Sequence, residues 1–342
     1  MLDWTLFYPP DTPVLALPSW RSPRLYLPTQ SLSQRWDDSA FYPAFRFVAR
    51  LYRLSLRTSA AIGLGEVRRV QSSSWPLGEF VRDVFPDMVS AVILVGTPGP
   101  TQKITVRVLG RQGKVLGYLK CAEKEAARKR LRQERRLMCG LPSNVGPEVL
   151  KFGSFADGEA LLVSALAGTR VAVNLSPPEA SRNFLTSLGA SARVHLEVHP
   201  WVCHIRAQEG GPAVDKWLEV LGDKSWPVVI QHGDFAPWNL LRRPDGTLGA
   251  IDWEYGTLEG FPHLDLAYYI LQVSALVYRY APPKAADRTV KYLTQSPQPG
   301  LRDEEARIVT RLAAYDAYLK SRADGQLDED GLQAWRRRIW EG

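Results

Sequence analysis

The stretch VVIQHGDFAPWNLLRRPDGTLGAIDWEYG, residues 228–256, is the most informative part of the chain. It begins with a short apolar strand, and its second half has the pattern strand, Pro-Asp-Gly turn, strand. A tight hairpin of this kind returns Asp252 to the loop that holds Asp234 and Asn239. Three oxygen-bearing side chains then converge, which favours a chemical site over a surface loop that uses Asp and Asn as turn formers.

These three side chains suit phosphoryl transfer. Mg²⁺ prefers oxygen ligands, commonly one or two carboxylates together with substrate phosphates. Asn239 and Asp252 are therefore the predicted metal ligands, and Asp234 is predicted to orient an acceptor hydroxyl and take its proton. Asn239 follows Asp234 by five residues and Asp252 follows Asn239 by thirteen, which is the spacing of the protein kinase pattern.

At this point the sequence resembles the aminoglycoside phosphotransferase and choline kinase-like family of the protein-kinase-like fold. The resemblance rests on HGDFAPWN (232–239), IDWE (251–254) and FPHLDLAYY (261–269), with weaker support from Lys120 and Glu134. It implies an α+β, two-lobed fold with a small β-rich lobe and a larger, mainly helical lobe. It also implies a kinase that uses ATP or GTP with Mg²⁺. Asp234 corresponds to the family's catalytic aspartate, and Asn239 and Asp252 correspond to its metal ligands.

The smaller lobe is predicted to contribute nucleotide contacts. Strand patterns in AVILV, QKITVRVL and VLGYLK precede a charged helix, and Lys120 ends the third of these strands. The resemblance implies that Lys120 reaches the phosphates and that Glu134, on the helix, holds it in place; Glu125 is the alternative partner. No GxGxxG precedes Lys120, so Gly96 and Gly99 mark the candidate phosphate loop, and a plain hairpin turn is the alternative.

The domain prediction has three parts: an N-terminal extension (1–85), a nucleotide-binding lobe (86–168) and a catalytic, acceptor-binding lobe (169–342). Helices are predicted for about 178–199, 212–222, 264–281, 302–323 and 328–340. A further helix with arginines at helical spacing is predicted around 43–57. It is interpreted either as a membrane-surface element or as a helix packed on the protein with a solvated arginine face.

Composition excludes several classes of protein. The net charge is +7, with 20 Lys and Arg against 22 Asp and Glu from residue 170 onward, so the first 169 residues carry +9 and the remainder −2. This uneven charge and the lack of a known module argue against nucleic-acid binding. Three cysteines without metal-ligand spacing, no long apolar run and no signal peptide lead us to expect a cytoplasmic protein.

The acceptor is predicted to be a small molecule rather than a protein. Only twelve residues separate Asp252 from Asp265, no Ala-Pro-Glu follows, and Gly233 stands where protein kinases carry an arginine. The near-neutral C-terminal half favours a sugar or related alcohol over a polycationic antibiotic. The alternative function is a pseudokinase or nucleotide-binding scaffold, at a membrane surface if the 43–57 helix binds lipid.

Overall fold

The computed structural model describes residues 3–29, 31–44, 47–208, 211–295, 300–329 and 331–342. The chain forms two compact units, residues 1–135 with 147–165 and residues 136–146 with 166–342. The first is built on a sheet and the second is mainly helical, so the predicted α+β class is confirmed. Within the described residues, no helix combines the length and apolar character needed to cross a bilayer.

The first unit contains one eight-stranded antiparallel sheet with the order β3-β1-β2-β4-β5-β6-β8-β7. Its strands are β1 Pro13–Leu17, β2 Leu25–Pro28, β3 Val67–Arg69, β4 Ser90–Val95, β5 Ile104–Leu109, β6 Val115–Ala122, β7 Val149–Phe155 and β8 Gly158–Ser164. Its helices are α1 Leu32–Ser39, α2 Phe47–Ala61, α3 Pro76–Val81 and α4 Glu125–Met138. Strands β1–β3 belong to the predicted extension, so the extension pairs into the same sheet as the predicted nucleotide-binding lobe.

Alternation along the strands gives the sheet two apolar faces. Val106, Val108 and Leu119 belong to one buried cluster, which also contains residues of α3. The other cluster combines residues of β1 and β2 with Leu56 and Ala60 of α2. The sheet is thus covered on both sides.

Helix α2 combines a buried side with an exposed apolar one. Val48, Leu51 and Leu54 are each more than half exposed, whereas Leu56 is buried. Arg57 donates to the carbonyl of Trp36 and lies 4.0 Å over its ring, so this arginine is engaged within the protein. The predicted segment also includes residues 45–46, which lie outside the described residues, and membrane contact stays a prediction.

The second unit combines short strands with a helical core. Its strands are β9 Thr169–Arg170, β10 Ala190–His195, β11 Ser225–Gln231, β12 Leu240–Arg242, β13 Leu248–Ala250 and β14 Thr257–Gly260. Its helices are α5 Glu179–Ser187, α6 Pro200–Arg206, α7 Gly211–Leu221, α8 Leu264–Val273, α9 Pro282–Thr294, α10 Asp303–Ala323 and α11 Gly331–Trp340. A π-helical turn, Ser274–Tyr278, continues α8.

Helix α10 contributes many residues to the core of this unit, where it packs with α7, α8, α9 and α11. Its first turn is acidic and its last turn contains Lys320 and Arg322, the distribution that the helix dipole favours. The predicted helices 264–281, 302–323 and 328–340 correspond to α8 with its π turn, α10 and α11; residue 330 lies outside the described residues. Helix α7 matches the prediction for 212–222.

The predicted single helix 178–199 is wrong. Helix α5 ends at Ser187, and Gly189 turns the chain with φ +74°, the left-handed conformation that commonly follows a helix. Residues 190–195 then form β10, which pairs antiparallel with β11. Helix α9 has no counterpart among the predicted helices.

Candidate active site

The hairpin predicted after the candidate catalytic loop, residues 232–239, is present in the second unit. Strands β12 and β13 pair with Leu240 opposite Ala250. One residue further, the Ile251 amide donates to the Asn239 carbonyl at 2.9 Å. Asp252 is the next residue after Ile251, so the hairpin brings it beside Asn239, as the Pro-Asp-Gly turn predicted.

Asp234 has both carboxylate oxygens engaged. Asn239 Nδ2 donates to Oδ2 at 2.9 Å and to the Asp234 carbonyl at 2.9 Å. The Tyr268 hydroxyl donates to Oδ1 at 2.6 Å. Burial raises the pKa of Asp234 to about 7; the bonds from Tyr268 and Asn239 lower that pKa, and the nearby carboxylates of Asp252 and Glu254 raise it.

Asn239 is buried and presents its amide in one orientation. Because Nδ2 makes two bonds to Asp234, the amide oxygen Oδ1 points elsewhere, and no described residue donates a hydrogen bond to it. Asp252 adopts φ +70°, a left-handed conformation that costs a non-glycine residue roughly 1–3 kcal/mol. Such strain at a candidate site suggests a functional demand on the direction of this carboxylate.

A metal at this place would have an amide oxygen and a carboxylate as protein ligands, a set that suits Mg²⁺. Among the described residues, no group of three or more His, Cys, Asp or Glu side chains has the arrangement of a metal site. The predicted pair, one Asn and one Asp, is smaller than such a group. Magnesium binding therefore stays a prediction, and the oxygen donors of Asn239 and Asp252 suit this ion.

Asp265, in the first turn of α8, anchors the catalytic loop through hydrogen bonds to its main chain. Its carboxylate accepts the amide of His232 at 2.7 Å and that of Gly233 at 2.9 Å. These two bonds join the first turn of α8 to the loop that precedes Asp234. Burial raises the pKa of Asp265 to about 6, while the two amide bonds lower it.

His232 also stabilises this loop, through both nitrogens of its ring. Its Nδ1 accepts the Asp234 amide at 3.2 Å, so Nε2 carries the proton that it shares with the Ile251 carbonyl at 3.0 Å. The ring is fully buried and lies 4.5 Å from that of Trp253. These contacts agree with a bracing role for His232.

Gly233 is required by geometry. Its φ is +78°, and a Cβ there would lie 2.1 Å from the Tyr255 carbonyl oxygen. No side chain fits in that space, so the arginine of protein kinases at this position is sterically excluded. The absence noted in the sequence thus has a local physical cause.

Lys120 and Glu134 meet in the first unit. Lys120 Nζ lies 2.5 Å from Glu134 Oε1, with side chains 13% and 2% exposed. The alternative partner, Glu125, pairs instead with Arg132 at 3.0 Å. The pairing inferred from the resemblance is therefore present, while contact of Lys120 with a nucleotide stays a prediction.

Gly96 and Gly99 lie in the loop between β4 and β5. The Gly96 amide donates to the Lys103 carbonyl at 2.9 Å, so it serves the hairpin. Lys124 Nζ donates to the Gly99 carbonyl at 2.8 Å, and Gln102 donates to that of Gly96 at 3.1 Å. These bonds brace the loop as a hairpin turn, and its contact with phosphates stays a prediction.

Tyr268 was missed by the sequence analysis. Its position three residues after Asp265 places both on one side of the first turns of α8. This spacing could have predicted the contact. Because Asp265 anchors the catalytic loop, the residue one turn later on the same face of α8 lies near the same loop. Lys320 and Arg336, described below, were also not predicted.

Comparisons with known proteins agree with the resemblance. The phosphotransferase enzyme family matches residues 190–299, which contain the catalytic loop, the hairpin and most of α8 and α9. None of the curated proteins compared with the chain matches it in sequence.

Three solved structures align with most of the chain at low sequence identity. A choline kinase from Streptococcus pneumoniae is 14% identical with a TM-score of 0.42, covering 78% of this chain and 96% of its own. An ethanolamine kinase from Plasmodium vivax is 11% identical with a TM-score of 0.42, covering 73% and 82%. A macrolide 2'-phosphotransferase from Brachybacterium faecium is 14% identical with a TM-score of 0.41, covering 72% and 91%.

The motif that carries the predicted base and metal ligands thus lies within residues 190–299, the part of the chain that matches the model of the phosphotransferase enzyme family.

Proposed function

We propose that this protein is a small-molecule kinase that transfers the γ-phosphate of ATP or GTP to a hydroxyl group of a sugar or related alcohol, with Mg²⁺. The observation that carries the proposal is the environment of Asp234. Its carboxylate is oriented by Asn239 and Tyr268, which hold one oxygen each. A carboxylate held in this way is positioned to accept the proton of a hydroxyl.

In the proposed reaction, the acceptor hydroxyl gives its proton to Asp234 while its oxygen forms a bond to the γ-phosphorus. The bond from that phosphorus to the bridging oxygen breaks, and the electron pair leaves with the nucleoside diphosphate. Asn239 and Asp252 would hold Mg²⁺, which supplies charge neutralisation on the phosphates. Lys120, oriented by Glu134, would add a further positive charge to the nucleotide.

The roles of the remaining residues follow from the same geometry. Asp265 and His232 fix the catalytic loop through main-chain bonds, which holds Asp234 in place without touching substrate. Gly96 and Gly99 are proposed to lie over the phosphates. A cytoplasmic location and contact of α2 with a membrane surface accompany the proposal as untested expectations.

The test is turnover of ATP and of GTP with Mg²⁺ against a panel of sugars, amino alcohols, nucleosides and aminoglycosides. Wild type should show acceptor-dependent release of nucleoside diphosphate, abolished by EDTA. Asp234→Asn, which keeps the size of the side chain, should lower the rate by about 10²–10⁴-fold. Nucleotide binding with unchanged turnover in Asp234→Asn would refute the proposed base, and absence of Mg²⁺-nucleotide binding would refute the kinase proposal.

A further inference from the structure

A cavity of about 200 Å³ opens beside Asp234 within the second unit. Its walls come from the catalytic loop and from α8, α10 and α11. At roughly 30 Å³ for each water molecule, it holds about six or seven waters, or one small organic molecule. Two of its lining residues are cations, Lys320 and Arg336.

Arg336, on α11, is buried with only 6% of its surface exposed. Its guanidinium donates to four acceptors, all of them neutral: the Ala317 carbonyl at 3.2 Å, Ser321 Oγ at 2.6 Å, Gln333 Oε1 at 3.0 Å and Gln272 Oε1 at 3.4 Å. No carboxylate among the described residues pairs with it. A buried cation without a counter-charge is costly, so this wall of the cavity has an electrostatic demand for an anion.

Lys320, on α10, brings a second positive charge to the catalytic loop. Its Nζ lies 2.6 Å from Asp316 Oδ2 and would be 2.9 Å from a Cβ placed on Gly233. The ammonium therefore lies against the residue that precedes Asp234. Its partner Asp316 also accepts Gln231 Nε2 at 3.4 Å, so this carboxylate is shared.

Among the described residues that line the cavity, Asp234 is the acidic one. Asp234 receives Tyr268 and Asn239, and Asp324 receives the Tyr255 hydroxyl. These neutral donors leave the carboxylate charges in place, and Asp316 pairs with Lys320, but no carboxylate among the described residues pairs with Arg336. A cationic acceptor would therefore have to approach two cations across a lining that contributes one carboxylate. An acceptor with a negative group meets one buried guanidinium and one ammonium, the groups best suited to carboxylate and phosphate oxygens.

We propose that this cavity is the acceptor site and that the acceptor is a small anionic alcohol. Its carboxylate or phosphate lies between Lys320 and Arg336, and a hydroxyl group lies against Asp234, to which it gives its proton as its oxygen bonds to the γ-phosphorus and the nucleoside diphosphate leaves. The inference rests on the proposed phosphotransferase function and names the substrate class of the same site.

The test compares acceptors that share a carbon skeleton and carry a neutral, anionic or cationic group on it. Glucose, glucuronate, glucose 6-phosphate and glucosamine form one series, and glycerol, glycerate and glycerol 3-phosphate form a second. Each is assayed for ATP turnover and, with Mg²⁺-ATP present, for its effect on Tm at constant ionic strength. We expect an anionic member to give at least a tenfold higher kcat/KM or a larger Tm increase than its neutral counterpart.

Variants assign the preference to the cavity. Lys320→Gln should reduce the anionic-to-neutral ratio at least tenfold, mainly through KM, and Lys320→Arg should restore most of it. Lys224→Gln is the matched control, because Lys224 forms an ion pair of the same 2.6 Å length with Glu305, and neither residue lines the cavity. Arg336 is not the first choice for substitution, since its buried bonds also stabilise the fold.

The outcomes separate this inference from the function on which it rests. Turnover or stabilisation that favours neutral or cationic members, a ratio that Lys320→Gln leaves unchanged, or no response to any anionic member overturns the inference. Turnover with a neutral or cationic acceptor alone leaves the kinase proposal standing. Failure to bind Mg²⁺-nucleotide overturns the kinase proposal itself.

Discussion

Replacing Lys120 with methionine should destabilise the protein by about 3–5 kcal/mol, the cost of removing one partner from a buried ion pair. The magnitude follows from Glu134, whose side chain is 2% exposed and whose Oε2 has no hydrogen-bond partner among the described residues. Without the ammonium 2.5 Å from Oε1, this carboxylate stays buried and uncompensated. The reverse change, Glu134→Leu, should cost less, about 2 kcal/mol, because the Lys120 side chain is 13% exposed and its ammonium can turn toward water.

The double variant Lys120→Met/Glu134→Leu replaces the pair with two apolar side chains. Such replacements of buried pairs are often nearly neutral, so we expect a stability within about 1 kcal/mol of wild type and a coupling energy of at least about 2 kcal/mol. The measurement is urea-induced unfolding followed by tryptophan fluorescence. Lys151→Met is the control, because its ion pair with Asp83 is exposed and should contribute about 0–1 kcal/mol.

The same variants separate stability from function. If Lys120 binds nucleotide phosphates, the double variant recovers stability but not turnover. Additive costs in the double variant, or a cost below 1 kcal/mol for Lys120→Met, would refute the electrostatic reasoning. Full turnover in the stable double variant would refute the assignment of Lys120 to the nucleotide.

Three further perturbations test other parts of the chain. Gly233→Ala should destabilise by at least about 2 kcal/mol and lower turnover, because its Cβ would lie 2.1 Å from a carbonyl oxygen; Gly222→Ala, with φ +74° but nothing within 4 Å, should cost only about 1 kcal/mol, and equal costs in urea unfolding would contradict this. Burial lowers the pKa of His263 to about 4 from an unfolded value near 6.5, so its contribution to stability is complete above pH 6.5 and is lost as the pH falls to 4; His263→Asn should remove up to about 3 kcal/mol of that acid dependence, and an unchanged pH profile of unfolding would exclude it. Leu51→Glu on the exposed side of α2 should abolish sedimentation with anionic vesicles while leaving turnover unchanged, whereas equal sedimentation of both proteins would exclude membrane contact through this surface.

The sequence was most informative where contacts are local. The hairpin that returns Asp252 to Asn239 was predicted from a Pro-Asp-Gly turn between two apolar runs, and its strands have the expected pairing. Main-chain bonds within such a short segment depend on few residues, so the local pattern suffices. The partnership of Lys120 with Glu134 needed the family resemblance, because a strand and a helix meet through tertiary packing.

The errors occur where tertiary contacts outweigh local preference. Residues 190–195 were predicted as helix because they followed a helical pattern, but Gly189 ends α5 and pairing with β11 makes them a strand. Helix α9 was not predicted, although Pro282 stands at its first position, where proline suits a helix start. Strands β1–β3 escaped notice because they are short and are stabilised as parts of one large sheet.

In the proposed acceptor site, the residues that would select the acceptor belong to no local motif. Lys320 and Arg336 follow Asp234 by 86 and 102 residues, and they meet near it only because α10 and α11 pack in the same core as α8. Phosphoryl transfer constrains the spacing of the base and the metal ligands, so their motif can be recognised in a single sequence. It places no such demand on the helices that hold the acceptor, and their charges are free to change while the reaction stays the same. A preference for an anionic alcohol would therefore be a property of α10 and α11, and exchanging the charge of Lys320 should alter which acceptor is used without altering how phosphate is transferred.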